Sequence, residues 1–160
     1  MSNSRPVVPY LFAGLAVFGL VVAVIGTFLP WLRSGNVRRS SYETAGLADQ
    51  FGLLDGTVGA TLLGGWVALP VLGAACAGLF ALRLLRTAAV FTVIFSLLVG
   101  TVAVAATVRG GAGNGIIGVV STGPMTSTVG TILALAGAIG VACTARFARR
   151  GATAGAGVQP

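Results

Sequence analysis

The chain has 160 residues, of which only 8% are Asp, Glu, Lys or Arg and 56% are hydrophobic. A soluble domain carries about 25% charged residues, so this composition excludes a soluble globular protein. Histidine is absent, and the only acids are Glu43, Asp49 and Asp55. This inventory leaves little for general acid–base catalysis or imidazole metal ligation. We therefore expect no catalytic residue, no metal and no cofactor.

Long uncharged, mainly apolar stretches divide the chain into four predicted helices. A helix needs about 20 residues to cross roughly 30 Å of hydrocarbon, and each stretch contains a segment of that length. The stretches lack the alternating polarity of barrel strands, and helices satisfy their own backbone hydrogen bonds in lipid. The sequence predicts an all-α fold, a four-helix transmembrane bundle over residues 1–148, with a flexible tail at 149–160. The predicted spans are residues 10–30, 57–82, 87–108 and 127–145.

The arginines predict how the bundle is oriented. The formal net charge is +7, and all ten basic residues are arginine. Six arginines lie before the first span, between the second and third spans, or after the fourth span, which is one side of the predicted bundle. The other four lie in the two connections on the opposite side. The positive-inside rule then places both termini in the cytoplasm of a multi-pass cell-membrane protein. Arginines that flank spans also fit anionic headgroups, whereas nucleic acid needs a clustered basic face, and we expect no such partner.

Small residues four positions apart recur in the predicted spans, and the chain has 25 glycines in all. Small residues let helix backbones approach closely in a bilayer. Packing among the four helices explains the pattern, and a face that binds a partner helix also explains it. Pro70 is expected to kink the second helix. The pairs are Gly19/Ala23, Gly64/Ala68, Gly73/Ala77, Ser96/Gly100 and Ala136/Gly140.

The spans carry no Asp, Glu, Lys or Arg. Acids and bases inside a membrane mark proton relays and ion paths, so their absence argues against a pump or a proton-coupled transporter. Cys76 and Cys143 are expected to be free, because both are predicted near the cytoplasmic side and free cysteine packs as a small hydrophobe.

The first outer connection, residues 31–55, holds all three acids and three of the arginines. The three negative and three positive charges cancel, so ion pairing within the connection accounts for these residues. Binding of an anionic headgroup or of a partner's acidic patch is the alternative. An aromatic residue directly after a span is typical of the membrane interface. The predicted contact residues are Trp31, Arg33, Arg38, Arg39, Tyr42, Glu43 and Phe51.

A capping box is predicted within this connection. The Ser40 hydroxyl can accept from the Glu43 N–H while the Glu43 carboxylate accepts from the Ser40 N–H. Apolar residues at helical spacing follow, which predicts an amphipathic helix over residues 43–55 that lies on the outer membrane surface or over the mouth of the bundle. That stretch contains two glycines, which disfavour a helix, so a pair of short turns is the alternative.

The second outer connection, residues 110–126, is rich in glycine, serine and threonine. Its glycines do not match a phosphate-binding loop, because no Lys-Ser/Thr pair follows them. We expect a flexible loop. An apolar stretch at 116–120 also fits a short strand or a re-entrant segment, and Pro124 is taken to precede the fourth helix.

The order of helix, larger loop, helix, tight turn, helix, smaller loop and helix resembles the claudin-type tetraspan layout. The resemblance implies a four-helix bundle with a larger first outer loop. The Gly-Leu-Trp and paired cysteines of that family's first loop are missing and only Trp31 is present, so a disulfide-braced sheet is not implied. The chain is also similar to small four-span bacterial membrane proteins, and its bias toward Arg, Ala, Gly and Val is typical of GC-rich, actinobacterial-type genomes.

These features predict a non-enzymatic membrane protein that acts by association. It would be an accessory or scaffold subunit that binds another membrane protein, or further copies of itself, through small-residue helix faces and the first outer loop. The alternative is a small channel or exporter for a hydrophobic or uncharged solute, suggested by Pro70 and the glycine-rich second loop.

Overall fold

The computed structural model describes residues 7–34, 37–43, 64–110 and 117–155, with side chains described except at 32–39, 109–110, 117–119 and 146–155. The helices in these ranges are α1 (Val8–Phe28), α2 (Leu69–Ala81), α3 (Leu85–Gly110) and α4 (Thr122–Gly155). The strands are β1 (Pro30–Ser34), β2 (Val37–Ser40) and β3 (Ile117–Val119). The described chain is thus a helical bundle with a small sheet at one end.

Among the described residues, three helices are long and apolar enough to cross a membrane: Val8–Phe28, Leu85–Val108 and Thr122–Ala145. Each exceeds the roughly 20 residues that the hydrocarbon core requires. The protein is therefore a helical membrane protein by composition and element length. Helix α2 has 13 residues, and a helical turn over residues 64–67 precedes it. The fourth span over 57–82 stays a prediction, because residues 57–63 lie outside the described ranges.

Helices α1 and α3 each pack against both α2 and α4. The three strands form an antiparallel sheet in the order β2-β1-β3. We call the end of the bundle that carries this sheet the sheet end. The opposite end, where residues 82–84 join α2 to α3, is the turn end.

Helix α4 begins at Thr122 rather than near residue 127, so Pro124 lies inside it. Proline is tolerated in the first turn, because the first four N–H groups of a helix have no partner within the helix. The Met125 N–H already donates to the Ser121 carbonyl, over 2.9 Å. At its other end α4 continues to Gly155, past the predicted end at 145 and into the predicted flexible tail. Alanine and arginine, which are frequent there, favour helix.

Pro70 lies beside an interruption of the helix at Ala68. It lies in the first turn of α2, and Ala68 precedes that helix as its N-cap residue. A proline has no N–H to donate to the carbonyl four residues earlier, here that of Trp66. The Ala68 N–H donates to the Gly64 carbonyl and the Leu72 N–H to the Ala68 carbonyl. The helical turn over residues 64–67 thus leads into α2, and the predicted kink at Pro70 stays a prediction.

Residues 117–119 of the second outer connection form β3, so the short-strand alternative holds there rather than the expected flexible loop. Backbone pairing with β1 accounts for it, since Leu32, Arg33 and Ser34 pair with Val119, Gly118 and Ile117. A strand that follows one span therefore pairs with a strand that precedes another. The resemblance to claudins did not imply a sheet for this chain, and this sheet forms without a disulfide, because both cysteines are free.

A seam of small residues joins α1 to α4, and we call it the α1–α4 seam. The residues repeat three or four positions apart, so they form one stripe on each helix. Ala16, Ala23 and Ala134 are 0% exposed. A Cβ added to Gly130 would lie 2.6 Å from the Cα of Ala23. The facing pairs, from the sheet end to the turn end, are Gly26 with Ser127, Ala23 with Gly130, Gly19 with Ala134, and Ala16 with Gly137.

The seam settles the role of the Gly19/Ala23 pair, which packs within the molecule. A hydrogen bond also crosses the seam, from the Ser127 Oγ to the Ala23 carbonyl over 3.3 Å. Two glycines elsewhere also allow close contact between neighbouring helices. Gly73 of α2 faces Val24, and Gly100 of α3 faces Thr131.

The turn between α2 and α3 is closed by backbone hydrogen bonds. The Arg83 N–H donates to the Phe80 carbonyl and the Leu84 N–H to the Leu79 carbonyl, both over 3.0 Å. This is the Schellman arrangement, which requires a left-handed residue after the helix. Arg83 occupies that position with φ of 60°, so α2 and α3 reverse direction within three residues.

We predict opposite effects of alanine at two glycines. Gly130→Ala should lower the free energy of unfolding by about 1–3 kcal/mol, because the new methyl group has no room between the helix backbones. Gly14→Ala is the control, since a Cβ there meets nothing within 4 Å. That variant should be neutral or more stable by up to about 1 kcal/mol, through helix propensity. Unfolding in detergent micelles measures both, and equal effects would contradict the seam.

Candidate functional site

The end of α1 is held by side chains from the first outer connection. Pro30 lacks the N–H that would otherwise reach the Gly26 carbonyl, and the last four carbonyls of any helix need outside donors. The indole Nε1 of Trp31 donates to the Gly26 carbonyl over 2.9 Å. The Ser41 hydroxyl donates to the Thr27 carbonyl over 2.6 Å. The loop thus supplies the hydrogen bonds that the interrupted helix cannot make.

The Trp31 ring is built into the bundle and is 7% exposed. The pairing of β1 with β2 shifts register between Pro30 and Leu32, and such irregularities re-aim a side chain. The ring lies against Gly123 in the first turn of α4, where a Cβ would come within 2.5 Å of the indole nitrogen. Trp66 meets Trp31 edge to face, with ring centroids 5.7 Å apart.

Ser41 links three segments of the chain. Besides donating to α1, its hydroxyl accepts from the indole Nε1 of Trp66 over 3.1 Å. Trp66 belongs to the helical turn just before α2. The adjacent Tyr42 hydroxyl is 2.9 Å from the Thr27 hydroxyl, and its ring lies 5.0 Å from that of Phe28. We call Thr27, Trp31, Ser41, Tyr42 and Trp66 the sheet-end cluster.

The predicted capping box is confirmed. The Ser40 N–H donates to the Glu43 Oε2 over 2.8 Å, and the Glu43 N–H lies 3.4 Å from the Ser40 Oγ. The backbone is helical over residues 41–43. The Glu43 carboxylate is exposed and serves a local purpose, because it satisfies the amide at the end of β2.

The sheet register brings the arginines of the first outer connection together. Arg33 of β1 pairs with Arg38 of β2, and Arg39 pairs with Leu32. The three described strands contain three arginines and no acid. Contact with a negatively charged group stays a prediction for these residues.

The predicted contact residues therefore differ in their placement. Trp31 is buried, Tyr42 is half-buried and Glu43 is exposed. Arg33, Arg38 and Arg39 have the strand positions given above, and their side chains lie outside the described part. Phe51 lies outside the described ranges, as do Asp49, Asp55 and the predicted amphipathic helix beyond Glu43. Ion pairing and headgroup contact both stay predictions for this loop.

Three residues of the sheet-end cluster were not singled out from the sequence, namely Thr27, Trp66 and the donor Ser41. The signal that could have found them is Pro30, which removes a helical donor and so demands a replacement nearby. Which residue supplies the replacement hydrogen-bond donor depends on tertiary packing. Trp66 is 25 positions from Ser41 in sequence, beyond the reach of any local pattern.

The described residues contain no group of three or more His, Cys, Asp or Glu that could hold a metal ion. Cys76 is buried and Cys143 is exposed, and both are free. No protein-family model, no curated protein and no solved structure matches this chain.

We predict that Ser41→Ala destabilises the protein by about 1–3 kcal/mol, the cost of leaving buried hydrogen-bonding groups without partners. The variant leaves both the Thr27 carbonyl and the Trp66 indole N–H without their hydrogen-bond partner. Thr101→Val is the control, because its exposed hydroxyl bonds only to the Leu97 carbonyl of its own helix. It should change stability by less than about 0.5 kcal/mol. Thermal unfolding in detergent compares the two, and a neutral Ser41 variant would contradict the proposed cluster.

Proposed function

We propose that this protein is a non-enzymatic accessory or scaffold subunit of a membrane complex, which binds another membrane protein through the outward face of α2 and the adjoining first outer loop. The observation that carries the proposal is the shape of that outward face. Ala74, Ala75 and Gly78 are exposed on it, and a Cβ added to Gly78 meets nothing within 4 Å. We call these three residues the α2 face.

The other three helices expose much larger side chains. Lipid chains are as apolar as leucine, so large apolar residues are suited to face them, whereas small residues allow a second helix backbone to approach. Helix α2 also exposes Val71 at 70% and Leu72 at 49%, so the small surface is confined to the α2 face itself. The exposed side chains of α1, α3 and α4 include Phe18, Ile25, Phe91, Ile94, Leu97, Leu98, Ile132 and Ile139.

Many of the remaining small residues of the helices pack within the molecule, whereas Gly14, Ala105 and Ala136 are exposed. The α1–α4 seam occupies the small stripe of both its helices, and Gly73 and Gly100 are covered by Val24 and Thr131. Of the two interpretations of the small-residue pattern, intramolecular packing thus applies to these positions. A partner helix is proposed only for the α2 face.

The first outer loop extends this surface. The hydrogen bond between Trp66 and Ser41 places the helical turn before α2 next to the end of β2. Strand β2 is an edge of the described sheet, and an edge strand can pair with an extended segment of another chain. Arg38 and Arg39 lie on this strand, so we propose that the partner segment is acidic.

The membrane placement is also part of the proposal. We place the protein in the cell membrane with a fourth span at 57–82 and both termini in the cytoplasm. The turn end would then face the cytoplasm, because six of the ten arginines lie on that side.

We predict that bulk on the α2 face disrupts a complex without disrupting the fold. The tagged full chain, extracted in mild detergent or in native nanodiscs, should purify with a stoichiometric membrane protein identified by mass spectrometry. Gly78→Leu should reduce recovery of that protein at least about ten-fold, equivalent to about 1.4 kcal/mol. Gly14→Leu is the matched control, since it is also an exposed helical glycine with open space around it.

Both leucine variants should be at least as stable as the parent protein, because leucine favours helix over glycine. A loss of partner confined to Gly78→Leu would therefore report on the surface rather than on folding. Recovery of a lone monomer in both detergent and nanodiscs would contradict the proposed function. Retention of the partner by Gly78→Leu would contradict the proposed face.

A further inference from the structure

A groove of about 650 Å³ lies between α3 and α4 near the turn end. Its floor is made of small side chains, Ala89 at 4% exposed and Ala138 at 0%. Its rims are branched side chains that project on either side, Val90 and Ile94 from α3 and Ile139 from α4. The groove exists because alanines face each other where the flanking positions carry valine and isoleucine, and its volume is in the range of ligand pockets.

One charged side chain is among the described residues that line this groove. Arg86 lies in the first turns of α3 at the turn end and is exposed. The rest of the described lining is apolar apart from the thiol of Cys143. The lining thus offers a hydrocarbon surface along most of its length and a cation at the position where α3 begins.

We propose that this groove binds a phospholipid with an anionic headgroup. One acyl chain lies along the alanine floor, and the phosphate contacts the Arg86 guanidinium. Basic pockets between transmembrane helices recognise anionic headgroups in this way. A guanidinium suits the task because it offers several donors to phosphate oxygens. A zwitterionic lipid fills the same groove but carries a compensating positive charge, so it binds more weakly.

A second groove on the same pair of helices provides a comparison. It lies closer to the sheet end, has a volume of about 600 Å³ and is lined by residues such as Leu97, Gly100, Ala105 and Ile132. Its described lining includes no charged residue. The two grooves have similar sizes and differ in charge, so the preference for anionic lipid is assigned to the groove at the turn end.

The lipid site is separate from the surface proposed for a protein partner. The groove lies between α3 and α4, whereas the α2 face belongs to a helix that packs against α1 and α3. Loss of one interaction therefore leaves the other measurable, and the two proposals fail independently.

The test uses the full chain in detergent with equal concentrations of phosphatidylglycerol and phosphatidylcholine. Native mass spectrometry counts the bound lipids. We expect one phosphatidylglycerol to be preferred by about five-fold, the ratio that corresponds to about 1 kcal/mol for one arginine near an anionic headgroup. The exposed thiol of Cys143 lines the groove whereas Cys76 is buried. Its reaction with N-ethylmaleimide should therefore slow when phosphatidylglycerol is added.

Two pairs of variants locate the site. Arg86→Gln should reduce the preference to about one-fold, while Arg83→Gln, at an exposed arginine outside the groove lining, should keep most of it. Ala142→Trp fills the groove and should abolish both lipid retention and protection of Cys143, whereas Ala105→Trp fills the second groove and should leave both unchanged. Gel filtration and circular dichroism establish that each variant is folded.

Three outcomes would overturn the proposal. They are equal binding of the two lipids by the parent protein, an unchanged preference in Arg86→Gln, and protection of Cys143 that persists when Ala142 is tryptophan. The arginine variants lie at the exposed turn end, so they test the headgroup contact even if the tryptophan variants fail to fold.

Discussion

Close approach of the α1 and α4 backbones is the constraint on which the rest of the described structure depends. Small residues at every contact along the α1–α4 seam allow the two helices to pack with almost no side chain between them. Because the helices run in opposite directions, the last residues of α1 lie beside the first residues of α4. The strands β1 and β3, which directly follow and precede these helices, are therefore close enough to pair. The sheet is a consequence of the seam.

The same placement explains how the chain terminates a membrane helix. A span that ends at a proline leaves a carbonyl without a donor, and at the border of the hydrocarbon core this is costly. The Trp31 indole N–H donates a hydrogen bond to this carbonyl, that of Gly26. The Trp31 ring fits against α4 because the facing residue there is Gly123. Ser41 serves the next carbonyl and also binds Trp66. The hydrogen bonds that satisfy the carbonyls at the end of α1 thus also fix the position of the first outer connection and of the helical turn before α2.

The packing also divides the outer surface into regions of different character. Helices α1, α3 and α4 present many large apolar side chains where they meet lipid, whereas α2 exposes Val71 and Leu72 together with the small residues of the α2 face. Between α3 and α4 the exposed residues stand apart over a floor of alanines and leave grooves. A protein partner, bulk lipid and a bound lipid each require a different surface, and the bundle provides a candidate for each of them.

The sequence by itself determined the helical membrane class, the boundaries of α1 and α3 to within about two residues, and the capping box at Ser40 and Glu43. These features depend on composition and on contacts between near neighbours, which a linear pattern records. It misplaced the start of α4, because Pro124 disfavours helix in general yet is tolerated in a first turn. It left β3 as one of several alternatives, because three residues have no strand signal of their own.

Only the tertiary structure decided which small residues are covered, which residues satisfy the end of α1, and where grooves open. A glycine has the same local pattern whether it faces another helix or lipid, so Gly130 and Gly14 cannot be told apart without their neighbours. The contacts between Trp31 and Gly123 and between Trp66 and Ser41 join residues far apart in the chain. Their energies come from burial and hydrogen bonding that exist only once the helices have packed.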